Sequence, residues 1–308
     1  MTFSANGEYL LTGDNKGIRG WQVEGGGKQM ATMAAIGVRC LAVSANGNWI
    51  AAGTEYGSVI VWDAKTYQKV FSHKEDCYSI NGVDFSPDSS RLVSASASRE
   101  ATIWDIATRE RVQALDHEKC VTAAKYSPQG DRIATASHDS VRAWDSNDGR
   151  LLVHIPVKLT PWLDTGLVWF NNHLFIISGR KIKEIEASTG SAVSEWPVPD
   201  STKFSCIALP KRGEFIAYST QHTITFWDTA TRQLGLIQHP QDIRSFAVSP
   251  DDRFLAIVGE TGEITINSLP RITAGVLAKG SREDDIDDAK RVRHFCLAQV
   301  RTCRRHHH

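Results

Sequence analysis

The 308-residue sequence predicts an all-β protein: a seven-bladed β-propeller of four-stranded antiparallel blades. Three observations carry this. A Trp-Asp pair closes an apolar run at Trp62-Asp63, Trp104-Asp105, Trp144-Asp145 and Trp227-Asp228, with separations of 42, 40 and 83 residues. The midpoint of the wide gap falls on Ile185-Glu186, and extension outward reaches Trp21-Gln22 and Ile266-Asn267, giving seven positions at near-constant spacing. About 20 residues ahead of the repeated position, five of the units carry an apolar triplet at i, i+3 and i+5. These triplets are Val38/Leu41/Val43, Ile80/Val83/Phe85, Val121/Ala124/Tyr126, Phe204/Ile207/Leu209 and Ile243/Phe246/Val248. Turn sequences follow in register (SANGN, SPDSSR, SPQGDR, PKRGE, SPDDR), built from residues that favour turns through their backbone preferences.

Each unit therefore reads in a fixed order. The triplet forms a first strand and the Gly/Pro/Asp segment a turn. Short apolar runs such as WIAAG, RLVSAS, RIATAS, FIAYS and FLAIVG form a second strand, the Trp-bearing run a third, and a further strand follows an ATR-type turn. Four short strands in a unit of about forty residues make a propeller blade. A blade apolar on both faces cannot stand alone, and stacking the copies into a closed ring buries those faces.

On these residues the chain resembles the WD-repeat (WD40) family over residues 1 to about 270. Its FSPDS, TIWDIATRE and FWDTATRQ segments are similar to repeats of fungal WD40 proteins, including those that follow NACHT-type NTPase modules. No P-loop motif is present in the chain itself. The resemblance implies one propeller domain over 1–278 and a charged, flexible tail over 279–308. It also implies a hydrogen-bond chain linking strands within a blade, best preserved as His117, Ser137, Asp139 and Trp144. His73 and His239 occupy the place of His117 before other blades. Partial networks rigidify less than complete ones, so blades 1, 5 and 7 are expected to be the softest.

Three segments depart from the pattern. The lead-in to blade 5 carries two additional tryptophans, Trp162 and Trp169, which either pack a remodelled blade or form an aromatic contact surface; burial is the commoner fate. The fourth strand of blade 7 is expected at Ile272–Ala278, failing which that blade has three strands. Beyond it, an acidic segment precedes a basic one, so a helix over Asp284–Arg301 would suit the helix dipole, although short helices are marginal without packing and an exposed tail is the simpler expectation.

Composition narrows the function. The 35 basic residues balance 35 acidic ones, which argues against general affinity for nucleic acid or anionic membranes. No apolar run long enough for a membrane helix occurs, and the N-terminus lacks a secretory signal, so an intracellular protein, cytoplasmic or nuclear, is expected. The six cysteines form no C-x-x-C pair and no disulfides are expected; the first four, Cys40, Cys77, Cys120 and Cys206, lie in or just before predicted inner strands and are expected as free, buried thiols. Repeat-spaced His73, His117 and His239 lie in different blades and cannot converge on one metal. The acidic run Glu283–Asp288 lacks the ligand order of an EF-hand. No nucleophile motif is found. Absent motifs do not exclude an enzyme, since propeller enzymes assemble their sites from loops distant in sequence, but the family resemblance implies a chain that catalyses nothing and binds neither cofactor nor metal.

What remains is a platform for protein or peptide partners. The resemblance implies docking on the face where the channel narrows, through side chains that open each inner strand. The residue after the first triplet position is Arg39, Asn81, Thr122, Ser205 or Arg244. It varies while its neighbours repeat, which leaves it free to carry specificity. Arg39 and Arg244, in blades 2 and 7, flank blade 1 and could grip a carboxylate or phosphorylated side chain together, or simply be two solvated arginines. The alternatives are a propeller enzyme or ligand-binding ring using the channel, and a fragment of a larger NACHT-WD40 sensor.

Overall fold

The computed structural model describes residues 1–24, 27–74, 77–157, 166–178, 181–198, 206–209, 215–228, 234–269 and 293–295. These form seven four-stranded antiparallel sheets. Blade 2 shows the pattern, with strands Val38–Val43, Trp49–Thr54, Ser58–Asp63 and Lys69–Lys74 paired in chain order. The first strand of every blade touches the first strand of the next, and Ile243–Val248 of blade 7 returns to Thr2–Phe3 of blade 1. The seven sheets therefore stand in a closed ring around their first strands.

Burial explains the arrangement. In the second and third strands nearly every side chain is buried on both faces, as in Arg91–Ser96 and Glu100–Asp105 of blade 3. In the fourth strand most are exposed, as in Lys69–Lys74. The inner strands are thus clamped between neighbouring blades, and the outer strand meets solvent. The repeated tryptophans lie in this interior: Trp104 is 1% exposed and Trp62 2%. Ile185 and Ile266 occupy the same place in blades 5 and 7, equally buried. Burying such side chains contributes about 1.5–3 kcal/mol each.

The first strand of one blade approaches the second strand of its neighbour so closely that some second strands carry glycine at or beside their end. A Cβ on Gly53 would fall 2.4 Å from Ile80 Cγ2 and 2.6 Å from Cys40 Sγ. A Cβ on Gly13 would likewise fall 2.3 Å from Val38 Cγ1.

Closure uses no shared blade. All four strands of blade 1 come from residues 2–33, and in blade 7 the strand paired with Ile264–Ile266 is Arg293–Phe295. The fourth strand expected at 272–278 and the acidic run lie outside the described residues, and of the helix expected over 284–301 the described residues, 293–295, are strand. The seam is sealed by side chains: Phe3, Leu10, Trp21 and Val23 of blade 1 join Ala256, Ile264 and Phe254 of blade 7 in one apolar cluster. No helix among the described residues is long and apolar enough to cross a membrane.

Candidate interaction surface at the channel mouth

The sequence candidates share a backbone feature. In blade 2, Val38 pairs with Thr54 and Cys40 with Gly53, so Arg39 is the extra residue of a β-bulge. Thr122 is the extra residue in blade 4, between Val121 and Ala123. Arg244 holds that place in blade 7, between Ile243 and Ser245. Asn81 holds it in blade 3, where Ala95 pairs with Gly82 and Ser96 with Ile80. Ser205 lies outside the described residues. A bulge bends the strand and re-aims one side chain off the ladder. Four candidates are therefore presented by one repeated device, at one end of the first strands, around one rim of the channel.

The four side chains are engaged differently. Arg39 is exposed and makes no ion pair among the described residues, and its charge reaches the thiols of both Cys40 and Cys120. Arg244 reaches Glu260 of its own blade, Nη2 to Oε1 at 2.8 Å. Thr122 donates to the Ala136 carbonyl at 3.0 Å. Asn81 donates through Nδ2 to the Val121 carbonyl of the next blade at 2.9 Å, while Ser79 Oγ donates to its Oδ1 at 3.0 Å. Asn81 and Thr122 are thus partly structural, Arg244 is engaged within its own blade, and Arg39 is the most outward-facing of the four. Deeper on the inner strands, Lys125 pairs with Asp84 at 2.9 Å.

The cysteines differ from expectation. Cys77 is exposed, and Cys40, Cys120 and Cys206 are half-buried free thiols. Burial pushes the Cys40 thiol up to about 12, so it stays protonated and unreactive. Its Sγ donates to the Ile80 carbonyl at 3.5 Å, and Cys206 Sγ to the Arg244 carbonyl at 3.9 Å.

The blade-4 network runs through a residue that sequence reasoning missed. Trp144 Nε1 donates to Thr135 Oγ1 at 2.7 Å, and His117 Nε2 lies 2.9 Å from the same oxygen. Ser137, expected at this junction, instead donates to Asp139 Oδ1 at 2.9 Å and meets Ser140. The correction is one of register. Successive side chains on a strand alternate faces, but Thr135 and Ser137 share one; the indole lies level with the earlier of the two. The same position holds Ser94 in blade 3, which accepts from Trp104 at 2.9 Å, and Thr12 in blade 1, which accepts from Trp21 at 2.9 Å. A hydroxyl ten or nine residues before these three tryptophans was the available signal. His73 packs against Trp104 with ring centroids 4.7 Å apart, and His239 is buried with Nδ1 beside the Gln241 carbonyl. Trp162 lies outside the described residues. Trp169 packs against the blade-4/blade-5 cluster and donates to the Asn171 carbonyl at 2.8 Å.

Among the described residues no group of His, Cys, Asp and Glu is placed to hold a metal ion. Ring, repeats and Trp positions together define a WD-repeat β-propeller. Residues 4–181 match the β-propeller of the nucleolar protein 10-like N-terminal domain, and the chain belongs to that family. It is 25% identical over 229 residues to the periodic tryptophan protein 2 homolog of Dictyostelium discoideum, a match covering 71% of this chain and 20% of that protein. It is 28% identical over 141 residues to the pre-rRNA-processing protein crb3/ipi3 of Schizosaccharomyces pombe, covering 40% and 32%. The chain thus spans a third or less of these relatives. In fold it is similar to a chain of the mitotic checkpoint complex crystal structure, with a TM-score of 0.75 at 16% identity over 87% of this chain and 88% of that one.

Proposed function

We propose that the chain is a non-catalytic scaffold that holds a protein or peptide partner over the channel mouth, with Arg39 as the principal anchor and Arg244 as the second. The observation that carries this is the repeated bulge, which lifts the variable residue of four blades off the ladder onto one rim. Arg244 must give up Glu260 to engage, and that exposed pair costs little to open, about 0–1 kcal/mol. An acidic or phosphorylated side chain suits both arginines. Fold alone does not decide between scaffold and enzyme, since a chain of Kuenenia stuttgartiensis hydrazine synthase shares it with a TM-score of 0.75. The scaffold reading draws support from relatives named for processing roles, including pre-mRNA-processing factor 17 of Homo sapiens, 25% identical over 151 residues. On that basis the partner belongs to a nuclear RNA-processing assembly and the chain acts in the nucleus or nucleolus.

Affinity capture from nuclear extract, comparing the chain with an Arg39→Glu/Arg244→Glu double variant, tests the site. A partner set recovered by the parent chain and lost by the variant supports it. Equal recovery by both removes the channel mouth from the proposal. Recovery of RNA in place of protein would overturn the protein-scaffold reading.

A further inference from the structure

The inference comes from comparing equivalent blade junctions on the rim opposite the bulges. The residue after each third strand is identified by one repeated bond: its N–H donates to a carbonyl just ahead of the second strand. This holds for Val23 to Glu8, Ala64 to Asn48, Ile106 to Ser90, Ser146 to Asp131, Ala187 to Asn172 and Leu269 to Arg253. Across each junction it faces the residue that opens the second strand of the preceding blade. Where that residue is aromatic, the partner is a large aliphatic one. Trp49 joins Ile106 in one apolar cluster, Phe215 joins Leu269, and Phe254 joins Val23. Where it is arginine, the partner is small and its carbonyl takes the guanidinium. Arg91 Nη1 donates to Ser146 O at 2.8 Å, and Arg132 Nη1 to Ala187 O at 3.4 Å.

The junction of blades 1 and 2 follows neither rule. Aromatic Tyr9 faces Ala64, which has neither the aliphatic bulk of Ile106, Leu269 and Val23 nor an arginine reaching for its carbonyl. A groove of about 500 Å³ stands open there, floored by Leu11, Val43 and Ile50 and flanked by Tyr9 and Tyr67. The exposed lining is mainly apolar, and burial raises the Tyr67 phenol above its usual value, with the Tyr9 phenol adding to the shift. The blade 5/6 junction cannot be compared, because the residue after its third strand lies outside the described residues.

We propose that this groove is a docking site for a partner protein that inserts one aliphatic side chain, leucine or isoleucine, against Tyr9. That side chain would supply in trans what Ile106, Leu269 and Val23 supply within the chain at three other junctions. The occupant's chemistry is thus set by the molecule's own filled junctions. The volume exceeds one side chain and accommodates the flanking peptide backbone, for which Asn6 and Asn48 at the margin offer amide donors and acceptors. The site lies on the opposite rim from Arg39 and does not depend on the channel-mouth proposal.

The test is a methyl NMR titration of the full chain with N-acetyl-leucine methylamide, with the asparagine and arginine methylamides as comparisons. A single residue binds weakly, so saturation is expected in the millimolar range. The leucine compound should shift the Leu11, Val43 and Ile50 methyls saturably, and the other two should not. Ala64→Ile, which fills the groove in the manner of Ile106, should abolish the shifts and raise the thermal midpoint. Tyr9→Arg, which installs the Arg91 arrangement, should also abolish them and guards against poor folding of the first variant. The proposal is overturned if the leucine compound gives no saturable shift, if the arginine compound saturates at lower concentration, or if both folded variants still respond.

Discussion

Asn81 Nδ2 donates to the backbone carbonyl of Val121 in the following blade, at 2.9 Å. The bulge at Thr122 takes Val121 out of regular ladder register, and the preceding blade supplies a partner for its carbonyl. Cys40 serves Ile80 and Cys206 serves Arg244 in the same sense. The bulges that present candidate contact residues are therefore braced from the neighbouring blade, which couples the geometry of the rim to the closure of the ring.

Asn81→Leu should consequently destabilise the chain by about 1–3 kcal/mol, because a half-buried carbonyl loses its donor. Asn81→Asp should cost at least as much, since a carboxylate cannot donate to that carbonyl. Urea denaturation of the two variants measures this. Retention of full stability by Asn81→Asp would show that the amide contributes nothing.

Thr135 is the second point of leverage. One hydroxyl serves both Trp144 and His117, so Thr135→Val, nearly isosteric, strands two buried donors or acceptors at once. The expected loss is about 2–4 kcal/mol, with Thr135→Ser near the parent. Ser137→Ala should cost less, because Ser137 bonds only within its own turn. Reversal of that order in thermal or denaturant unfolding would return the network to Ser137.

His117 gives the pH dependence. Burial, aided by the Arg142 charge, lowers its pKa to about 4, only partly offset by Asp139. Its value in the unfolded chain is about 6.5. Between these values the unfolded state binds the proton and the folded state does not, so unfolding is favoured as pH falls through this window. Stability should be level above pH about 6.5 with respect to this group and decline by about 3 kcal/mol by pH 4. His117→Gln should flatten the profile between those limits, as followed by denaturation midpoints across the pH range. An unchanged slope in that variant would assign the loss to other groups.

The ring was readable from the sequence because its signal is repetition. Trp62, Trp104 and Trp144 mark the third strands whether or not their local contacts are known, and Ile185 and Ile266 were found by spacing alone. The bulges were not readable: Arg39, Asn81, Thr122 and Arg244 stood out as variable, but a two-against-one pairing depends on the partner strand. Thr135 was missed for a related reason, since which hydroxyl meets an indole depends on the cross-strand offset. The groove at Tyr9 and Ala64 was hidden because it belongs to residues 55 apart in sequence, informative only when set beside Arg91 with Ser146 and Trp49 with Ile106.

The spacing between blades can be tested at Gly53. A Cβ there would meet Ile80 Cγ2 at 2.4 Å and Cys40 Sγ at 2.6 Å, both side chains held in the interface between blades 2 and 3. Backbone conformation is not the obstacle, because Gly53 is in the extended strand Trp49–Thr54. Gly53→Ala should therefore destabilise by overpacking, about 1–3 kcal/mol, where relief of unfolded-chain entropy alone would stabilise by about 0.4–1 kcal/mol. Ile80→Ala alone opens a cavity and costs about 2–5 kcal/mol. Combined, Ile80→Ala removes the closest contact, that with Cγ2, while Ile80 Cβ at 2.7 Å and Cys40 Sγ at 2.6 Å remain, so the double variant should be more stable than the sum of the single effects predicts, by about 0.5–3 kcal/mol. A double-mutant cycle by denaturant unfolding measures that coupling. Strict additivity would mean that the second strand of blade 2 and the first strand of blade 3 are not in the steric contact on which the curvature of the ring depends.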